Sequence, residues 1–218
     1  MSPRSHPMSP PATHDEPAPA ARAARLQARV AVEEDVHSHR VRLGYLAEAL
    51  ALHLGLDADA AQMLRLAAPL HDVGENDPTA AFEPAWPLTA AEERRRRHAL
   101  PQRGARLLGS SSLPLFSLAA EIALNHRERW DGNGYPQGLR GKAIPLSARI
   151  VAVVDYFDAL TMRRRYRPAR ADDCGLAMLA EQAGSAFDPD IVAGFVAHAP
   201  ALIALRDRID PTQPAKRV

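Results

Sequence analysis

Cysteine is nearly absent from this sequence, because the 218 residues include only Cys174. A single thiol excludes an internal disulfide, and it also excludes a metal cluster built from several cysteines. So little cysteine is typical of proteins in the reducing cytoplasm. We therefore expect a cytoplasmic protein in which Cys174 is a small buried residue.

The chain also lacks a strong charge of either sign, since its formal net charge is +1 at pH 7. This balance gives no reason to expect DNA or an anionic membrane as a bulk electrostatic partner. No apolar run approaches the length of a membrane span, and the N-terminus has proline, histidine and acidic residues where a signal peptide needs apolar ones. We expect a soluble, unexported chain.

Composition divides the chain into three parts. Residues 1–25 are dominated by Pro, Ala, Ser and His, which cannot bury enough apolar surface to offset the entropy of ordering, and this predicts a disordered tail. We expect residues 211–218 to form a flexible C-terminal tail. Residues 26–210 fit one domain, because 46% of the chain is hydrophobic and can supply a core.

Helical periodicity begins at the start of this domain. Apolar residues recur at three- and four-residue steps within residues 26–55, which predicts an amphipathic helix that a glycine terminates. A second helix is predicted at residues 58–71, with Asp57 as its N-cap and Gly74 as a left-handed exit. Pro69 predicts a kink or a shortened last turn.

The remaining sequence predicts an all-α fold. Between residues 131 and 145, four glycines and two prolines predict one long loop. No segment alternates convincingly between apolar and polar residues, so no strand is expected. The other helices are predicted at 89–108 from a capping box of Thr89 and Glu92, at 114–128 from a first-turn Pro114, at 148–161 after a capping Ser147, and at 189–198 after the pair Asp188-Pro189.

Ionisable residues in apolar surroundings mark the candidate site. His71 and Asp72 follow the apolar run at residues 63–70, and Asp155 interrupts an apolar helix. A buried charge is costly unless it is paired or binds a metal. Taken alone, Asp155 is equally well explained by a buried ion pair with an arginine. Together with His37, these residues supply two imidazoles and two carboxylates, a set that suits iron, manganese or zinc.

The order of His37, His71-Asp72 and Asp155 resembles the HD superfamily of metal-dependent phosphohydrolases. Residues 131–161, D-G-N-G-Y-P-Q-G-L-R-G-K-A-I-P-L-S-A-R-I-V-A-V-V-D-Y-F-D-A-L-T, are similar to the HD-GYP subfamily, which hydrolyses the bacterial messenger cyclic di-GMP. The match also includes L-T-A-A-E-E, R-R-Y-R and A-G-S-A-F-D-P, and it covers about residues 30–196. The resemblance implies an HD-superfamily helical bundle with a long GYP loop.

The resemblance also implies roles for individual residues. It implies that the first metal is held by His37, His71, Asp72 and Asp155. Glu33 matches the extra carboxylate of members that bind three metals, although Glu33 and His37 alone would indicate a surface pair on one helix face. The family's His-His-Glu motif becomes His126-Arg127-Glu128, in which His126 keeps the first metal-binding position.

Substrate contacts are implied at the loop and after the last metal ligand. Pro136 forces Tyr135 into an extended conformation that presents its ring at the loop, which in the family borders the substrate cleft. A loop that only packs on the domain is the alternative, since Gly and Pro mark any turn. Arg164 and Arg167 match phosphate contacts of the family, and a basic surface run is the alternative for them.

Three positions depart from the family pattern. Leu100 stands where members have a metal-binding histidine, Arg127 replaces the second histidine of the His-His-Glu motif, and Glu75 replaces a lysine thought to assist proton transfer. His98 lies two residues from Leu100, so it faces away on a helix, and we expect it to face solvent beside the arginines at 94–97.

The positive charge of Arg127 is expected to oppose binding of a second metal ion. A guanidinium ~4 Å from a unit positive charge is opposed by ~4 kcal/mol at an effective dielectric constant of ~20, and by more beside a divalent ion. We therefore expect one bound ion, with Arg127 as a fixed cation that neutralises Asp72 and attracts phosphate. The alternative is an Arg127 side chain that points into solvent.

Two classes of function remain open from the sequence. The first is a metal-dependent phosphodiesterase or phosphohydrolase that acts on cyclic di-GMP or a related phosphate ester with reduced activity, using Asp72 and, as a candidate general base, Glu75. The second is a catalytically impaired module that binds cyclic di-GMP or a signalling partner protein. The four retained first-metal residues favour the enzyme, whereas Leu100, Arg127 and Glu75 favour the module.

Overall fold

Helices make up the described part of the chain. The computed structural model describes residues 37–76, 89–163 and 168–209, and none of these residues forms a strand beyond one isolated bridge between Ala183 and Phe187. The predicted all-α fold is confirmed. The helices are α1 (37–53), α2 (Ala58–Ala67), α3 (Ala90–Leu108), α4 (Pro114–Asn125), α5 (Leu146–Thr161), α6 (Asp172–Glu181), α7 (Pro189–Ala197) and α8 (Ala199–Ile209), with 3₁₀ turns at Ala68–Leu70, Val73–Asn76 and Gly141–Ala143.

Several predictions fall on residues outside this description. They are the two tails, the start of the first helix, and the roles of Glu33, Arg164 and Arg167.

Local sequence signals set most of the helix ends. The Thr89 side chain accepts a hydrogen bond from the Glu92 amide at 3.3 Å, and the Glu92 carboxylate accepts one from the Thr89 amide at 2.8 Å, so the predicted capping box is confirmed. Asp57 caps α2 by accepting from the Ala60 amide at 2.8 Å. Gly55 ends α1 with a φ of 86°, a conformation that glycine adopts readily.

Helix α2 is shortened at Pro69 as predicted, but the predicted roles of Gly74 and Ser147 at helix ends are wrong. The α-helix of α2 ends at Ala67 and continues as a 3₁₀ turn that contains Pro69, as the proline predicted. Gly74 lies in the next 3₁₀ turn without a positive φ; the missing side chain is needed because a Cβ there would lie 2.3 Å from the Leu100 carbonyl oxygen. Ser147 does not cap α5; it donates to Glu121 at 2.6 Å.

Helices α4 and α5 carry the centre of the core. Helix α4 packs against α2, α3 and α5, and α5 also packs against α6 and α7. Burial of apolar side chains drives this packing. Asp158 is a fully buried carboxylate among the buried apolar side chains of α5, so it needs partners from neighbouring helices.

Helices α6 and α8 were not predicted, and an ion pair joins them. The buried guanidinium of Arg206 in α8 donates to Asp172 at 2.7 Å and to the Thr161 hydroxyl at 2.9 Å. This pairing fixes α8 against the ends of α5 and α6.

The surface differs from the expectation in one respect. Cys174 is exposed on α6, so its prediction as a buried residue is wrong. Taken singly, none of the described helices has the length and apolar character of a membrane span; α7 and α8, which meet at a bend of 74°, reach those criteria only when combined.

Candidate metal centre

Three side chains that commonly bind metals converge from three parts of the bundle. His39 comes from α1, His71 from the chain between the two 3₁₀ turns after α2, and Asp155 from α5, and one possible ligand atom of each lies within 4.8 Å of the others. The Asp155 carboxylate is 3.4 Å from His39 Nε2 and 4.0 Å from His71 Nε2. This cluster is the candidate metal centre.

The prediction that His37 belongs to this cluster is wrong. His37 is exposed, whereas His39 is buried against the two carboxylates of α5. Residues two positions apart on a helix point about 200° away from each other, so only one of the two histidines can face the centre. A sequence signal for His39 does exist. His39 shares its helix face with the buried core residues Leu43, Leu46 and Leu50.

A buried ion pair that was not predicted orients His39. The Asp158 carboxylate accepts from Arg42 Nε at 2.8 Å and lies 2.7 Å from His39 Nδ1. Asp158 follows Asp155 by three residues, so both point to the same side of α5. The buried arginine of this site thus contacts Asp158, whereas Asp155 lies against His39 and His71. A carboxylate behind a histidine, with the other ring nitrogen facing the site, is the usual support of a metal-binding imidazole.

The ring of His71 presents a free nitrogen to the centre. Its Nδ1 lies 3.0 Å from the Ala68 carbonyl oxygen, which can only accept, so Nδ1 carries the proton and Nε2 has the lone pair. Nε2 is buried without a hydrogen bond, 3.1 Å from an Asp72 oxygen and 4.0 Å from Asp155. A lone pair enclosed by carboxylates fits a cation between them. These residues therefore fit a divalent metal.

Asp72 is contacted from three sides. His71 lies on one side, His126 Nε2 is 3.1 Å from Oδ1, and Arg127 Nη2 donates to both carboxylate oxygens at 3.3 and 3.2 Å. The expected contact of Arg127 with Asp72 is present, so the alternative of an Arg127 directed only into solvent is wrong. The His126 ring is fixed because Nδ1 donates to the Ala123 carbonyl at 3.1 Å.

The charges of the cluster shift the pKa values of its members. Burial opposes ionisation of Asp72 and Asp155, but the imidazoles of His126 and His71 beside Asp72, and the hydrogen bond from His39 to Asp155, hold the pKa values of both carboxyls well below their usual range. Burial also opposes protonation of His39, but its bonds to Asp155 and Asp158 raise its pKa to about 9. Burial lowers the pKa of His126.

Four other residues that the sequence analysis singled out have different surroundings in the structure. Glu75 is exposed in the turn after the His-Asp pair, where partial desolvation and the Asp72 charge raise its pKa. Leu100 is half-buried and offers no ligand atom. The ring of Tyr135 stacks on His98 with 4.2 Å between ring centroids and 10° between planes. His98 is exposed, as expected, but its ring also stacks on Tyr135, which was not predicted.

The glycine-rich loop is attached to the end of α4. The buried carboxylate of Glu128, a contact that was not predicted, accepts from the amides of Gln137 at 2.7 Å and Leu139 at 3.1 Å. Gly134 allows a close approach, because a Cβ there would lie 2.3 Å from the Arg129 nitrogen. The Tyr135 amide donates to the Arg127 carbonyl at 3.3 Å, and this bond places Tyr135 beside the residues that contact Asp72.

Comparison with known proteins identifies sequence relatives of this chain. It is 44% identical over 153 residues to the cyclic di-GMP phosphodiesterase response regulator RpfG of Xanthomonas campestris pv. campestris, a match that covers 69% of this chain and 40% of the relative. It is 37% identical over 164 residues to a cyclic di-GMP phosphodiesterase of Thermotoga maritima, covering 74% of this chain and 44% of that protein. The chain thus spans less than half the length of these relatives.

Solved structures share the fold at low sequence identity. A cyclic GMP-AMP specific phosphodiesterase from V. cholerae superposes with a TM-score of 0.60 at 18% identity, over 82% of this chain and 49% of that one. An HDGYP protein from Bdellovibrio bacteriovorus gives a TM-score of 0.57 at 22% identity, over 74% of this chain and 51% of that one. These structures share the helical architecture, which agrees with the helical bundle that the resemblance implied.

The family match covers most of the described helices. The sequence pattern of the HD domain matches residues 17–191, a range that contains all the residues of the candidate metal centre. The chain therefore belongs to the HD domain family.

Proposed function

We propose that this chain is a metal-dependent phosphodiesterase of the HD-GYP type that acts on cyclic di-GMP or a related phosphate ester. One observation carries the proposal: the buried Nε2 of His71 has no hydrogen bond although carboxylates of Asp72 and Asp155 lie beside it. The names of the relatives, two of which are cyclic di-GMP phosphodiesterases, support this substrate class.

In this proposal one divalent ion is held by His39, His71, Asp72 and Asp155, with His39 in the place that the sequence assigned to His37. Iron, manganese and zinc all suit two imidazoles and two carboxylates. When bound, such an ion supplies a Lewis acid that lowers the pKa of water and polarises a phosphoryl oxygen. Asp158 and the Ala68 carbonyl orient the two imidazoles toward it.

Arg127 sets the number of ions in this proposal. Its guanidinium lies on the Asp72 carboxylate and supplies a permanent positive charge, so a second cation at that position would meet repulsion. Leu100, at the position of a metal-binding histidine in the family, offers no ligand atom for a second ion. His126 then orients Asp72 and serves as a further candidate ligand, while Arg127 neutralises Asp72 and attracts the phosphate group.

Proton transfer falls to residues at the rim of the centre. Glu75 is the candidate general base, because it follows the His-Asp pair, faces solvent and has a raised pKa. Tyr135 borders the same rim, because its amide donates to the Arg127 carbonyl. Arg164 and Arg167 remain proposed phosphate contacts.

A second candidate function is a regulatory module that binds cyclic di-GMP, or a signalling protein, without efficient turnover. The observation that favours it is the ion pair between Arg127 and Asp72, which takes the place of a second metal and leaves one cation to stabilise both the attacking and leaving oxygens. Turnover separates the two candidates.

Removal of Asp72 tests the enzyme proposal directly. We expect Asp72→Ala to lose bound metal and to lower cyclic di-GMP hydrolysis by at least about 100-fold, since even indirect supports of metal ligands contribute 10–100-fold. Elemental analysis and a hydrolysis assay on the same preparations measure both effects. Stoichiometric metal in the folded variant would contradict this ligand set, and a metal-loaded parent that binds cyclic di-GMP without hydrolysing it would support the module.

The ion pair behind His39 has a separate, measurable contribution. Asp158→Ala removes the buried carboxylate that accepts from Arg42 and lies against His39 Nδ1, so we expect a loss of about 3–5 kcal/mol in the free energy of unfolding of metal-free protein and a 10–100-fold weaker metal affinity. Asp188→Ala is the matched control, because it removes another buried carboxylate, paired with Arg149, that does not contact the centre. The control should lose stability without losing metal affinity. Equal metal affinity in both variants would refute a role of Asp158 in the centre.

Metal binding should also release a proton. In metal-free protein at pH 7.5, His39 is protonated because its pKa is raised to about 9, and it must become neutral to bind metal. We expect release of about one proton per ion at pH 7.5, decreasing as the pH rises through 9. Calorimetric titrations in buffers of different ionisation enthalpy measure this number. Proton release that does not change between pH 7.5 and 10 would contradict the assignment to His39.

Restoring the family residues tests whether the three departures lower activity. The triple variant Leu100→His, Arg127→His and Glu75→Lys should bind a second ion and hydrolyse cyclic di-GMP at least about tenfold faster, because a second ion stabilises both oxygens of the displacement. Metal stoichiometry and kcat are the measurements. If a folded variant with two ions shows no gain, these residues do not limit turnover.

A further inference from the structure

A basic groove lies outside the metal centre, between the exposed face of α3 and the glycine-rich loop. Its volume is about 300 Å³, and no carboxylate is among the residues that line it. Arginine guanidinium groups therefore set its charge. The lining residues are Arg94, Arg95, His98, Ala99 and Gln102 of α3 and Pro136 of the loop.

One residue that lines this groove, His98, belongs to an aromatic pair. The His98 ring, which lines the groove, stacks nearly parallel on Tyr135, the neighbour of Pro136. The loop that carries Tyr135 and Pro136 is held by the buried Glu128 carboxylate, which accepts from two loop amides. This side of the groove is therefore attached to a buried group.

Successive contacts connect the groove with the metal centre. The Asp72 carboxylate accepts from the Arg127 side chain, the Arg127 carbonyl accepts from the Tyr135 amide, and the Tyr135 ring stacks on His98. The wall of the groove and the centre are therefore joined through Arg127 and Tyr135.

We propose that this groove binds the distal half of a dinucleotide whose other phosphate lies at the metal centre, with Arg94 and Arg95 on the distal phosphate and a base against the His98–Tyr135 pair. The inference rests on the proposed function and names its second subsite. Two phosphates in one substrate need two positive sites. Arginine suits the distal one because its planar fork donates two parallel bonds to phosphate oxygens, and a ring pair offers a surface on which a base can stack.

A charge-matched control separates this subsite from a merely solvated basic face. Arg97 lies on the same helix and is exposed, but it does not line the groove. The test variants are the double substitution Arg94→Ala with Arg95→Ala, the single His98→Ala, and His98→Phe, which keeps an aromatic ring. Arg97→Ala is the control.

Binding is measured with a hydrolysis-resistant phosphorothioate analogue of cyclic di-GMP on the metal-loaded full chain. We expect the double variant to bind about tenfold or more weakly, with a reduced dependence of log Kd on log salt, because charge-assisted bonds to phosphate are lost. His98→Ala should also weaken binding, and His98→Phe should restore it. Arg97→Ala should change Kd by less than about twofold.

A small substrate gives the second readout. Bis(4-nitrophenyl) phosphate has one phosphate and cannot reach the groove, so its kcat/KM and the metal content should stay unchanged in every variant. Equal losses in the double variant and Arg97→Ala, equal losses for both substrates, or no binding of the analogue by the parent would each overturn the subsite. If the parent binds the analogue but hydrolyses neither substrate, the proposed enzyme function fails while the binding test of the groove still stands.

Discussion

The buried contact of Asp158 with Arg42 and His39 is the interaction on which the centre depends. A carboxylate inside α5 is tolerable only because a guanidinium donates to it at 2.8 Å and an imidazole lies at 2.7 Å. The same contact directs the other nitrogen of His39 toward Asp155. One interaction therefore neutralises a charge in the core, joins α1 to α5 and orients a candidate ligand.

Charge balance explains the rest of the centre. The two carboxylates of Asp72 and Asp155 face three imidazoles and one guanidinium, and the pKa values of both carboxyls are held low by these neighbours. A divalent ion held by these residues would replace the proton on His39 as the counter-charge. Arg127 supplies a further positive charge that does not depend on pH or metal supply. These properties fit a site for phosphate rather than for an uncharged ligand.

The sequence predicted the features that depend on local chemistry. The capping box of α3 and the end of α1 at Gly55 depend on residues within one turn, and the contact of Arg127 with Asp72 was expected from the place of Arg127 in the His126-Arg127-Glu128 motif. His37 was a wrong prediction because the order of motif residues along the chain does not report which helix face is apolar, and it is His39 that shares the buried face of α1. Asp158 was missed because a buried carboxylate is recognisable only by its partner, here 116 positions away in Arg42. The stacking of His98 on Tyr135 depends on tertiary packing in the same way.

The last residue of α4, Asn125, and the three residues after it have neighbours on two sides. His126 and Arg127 contact Asp72, while the next residue, Glu128, holds the amides of the loop and Asn125 accepts from the Gln137 side chain at 3.2 Å. Four consecutive residues thus link the loop to the side chains of the candidate metal centre. A ligand that moved the loop would also move the residues that contact Asp72, and its binding would be coupled through a single helix end to that of an ion at the centre.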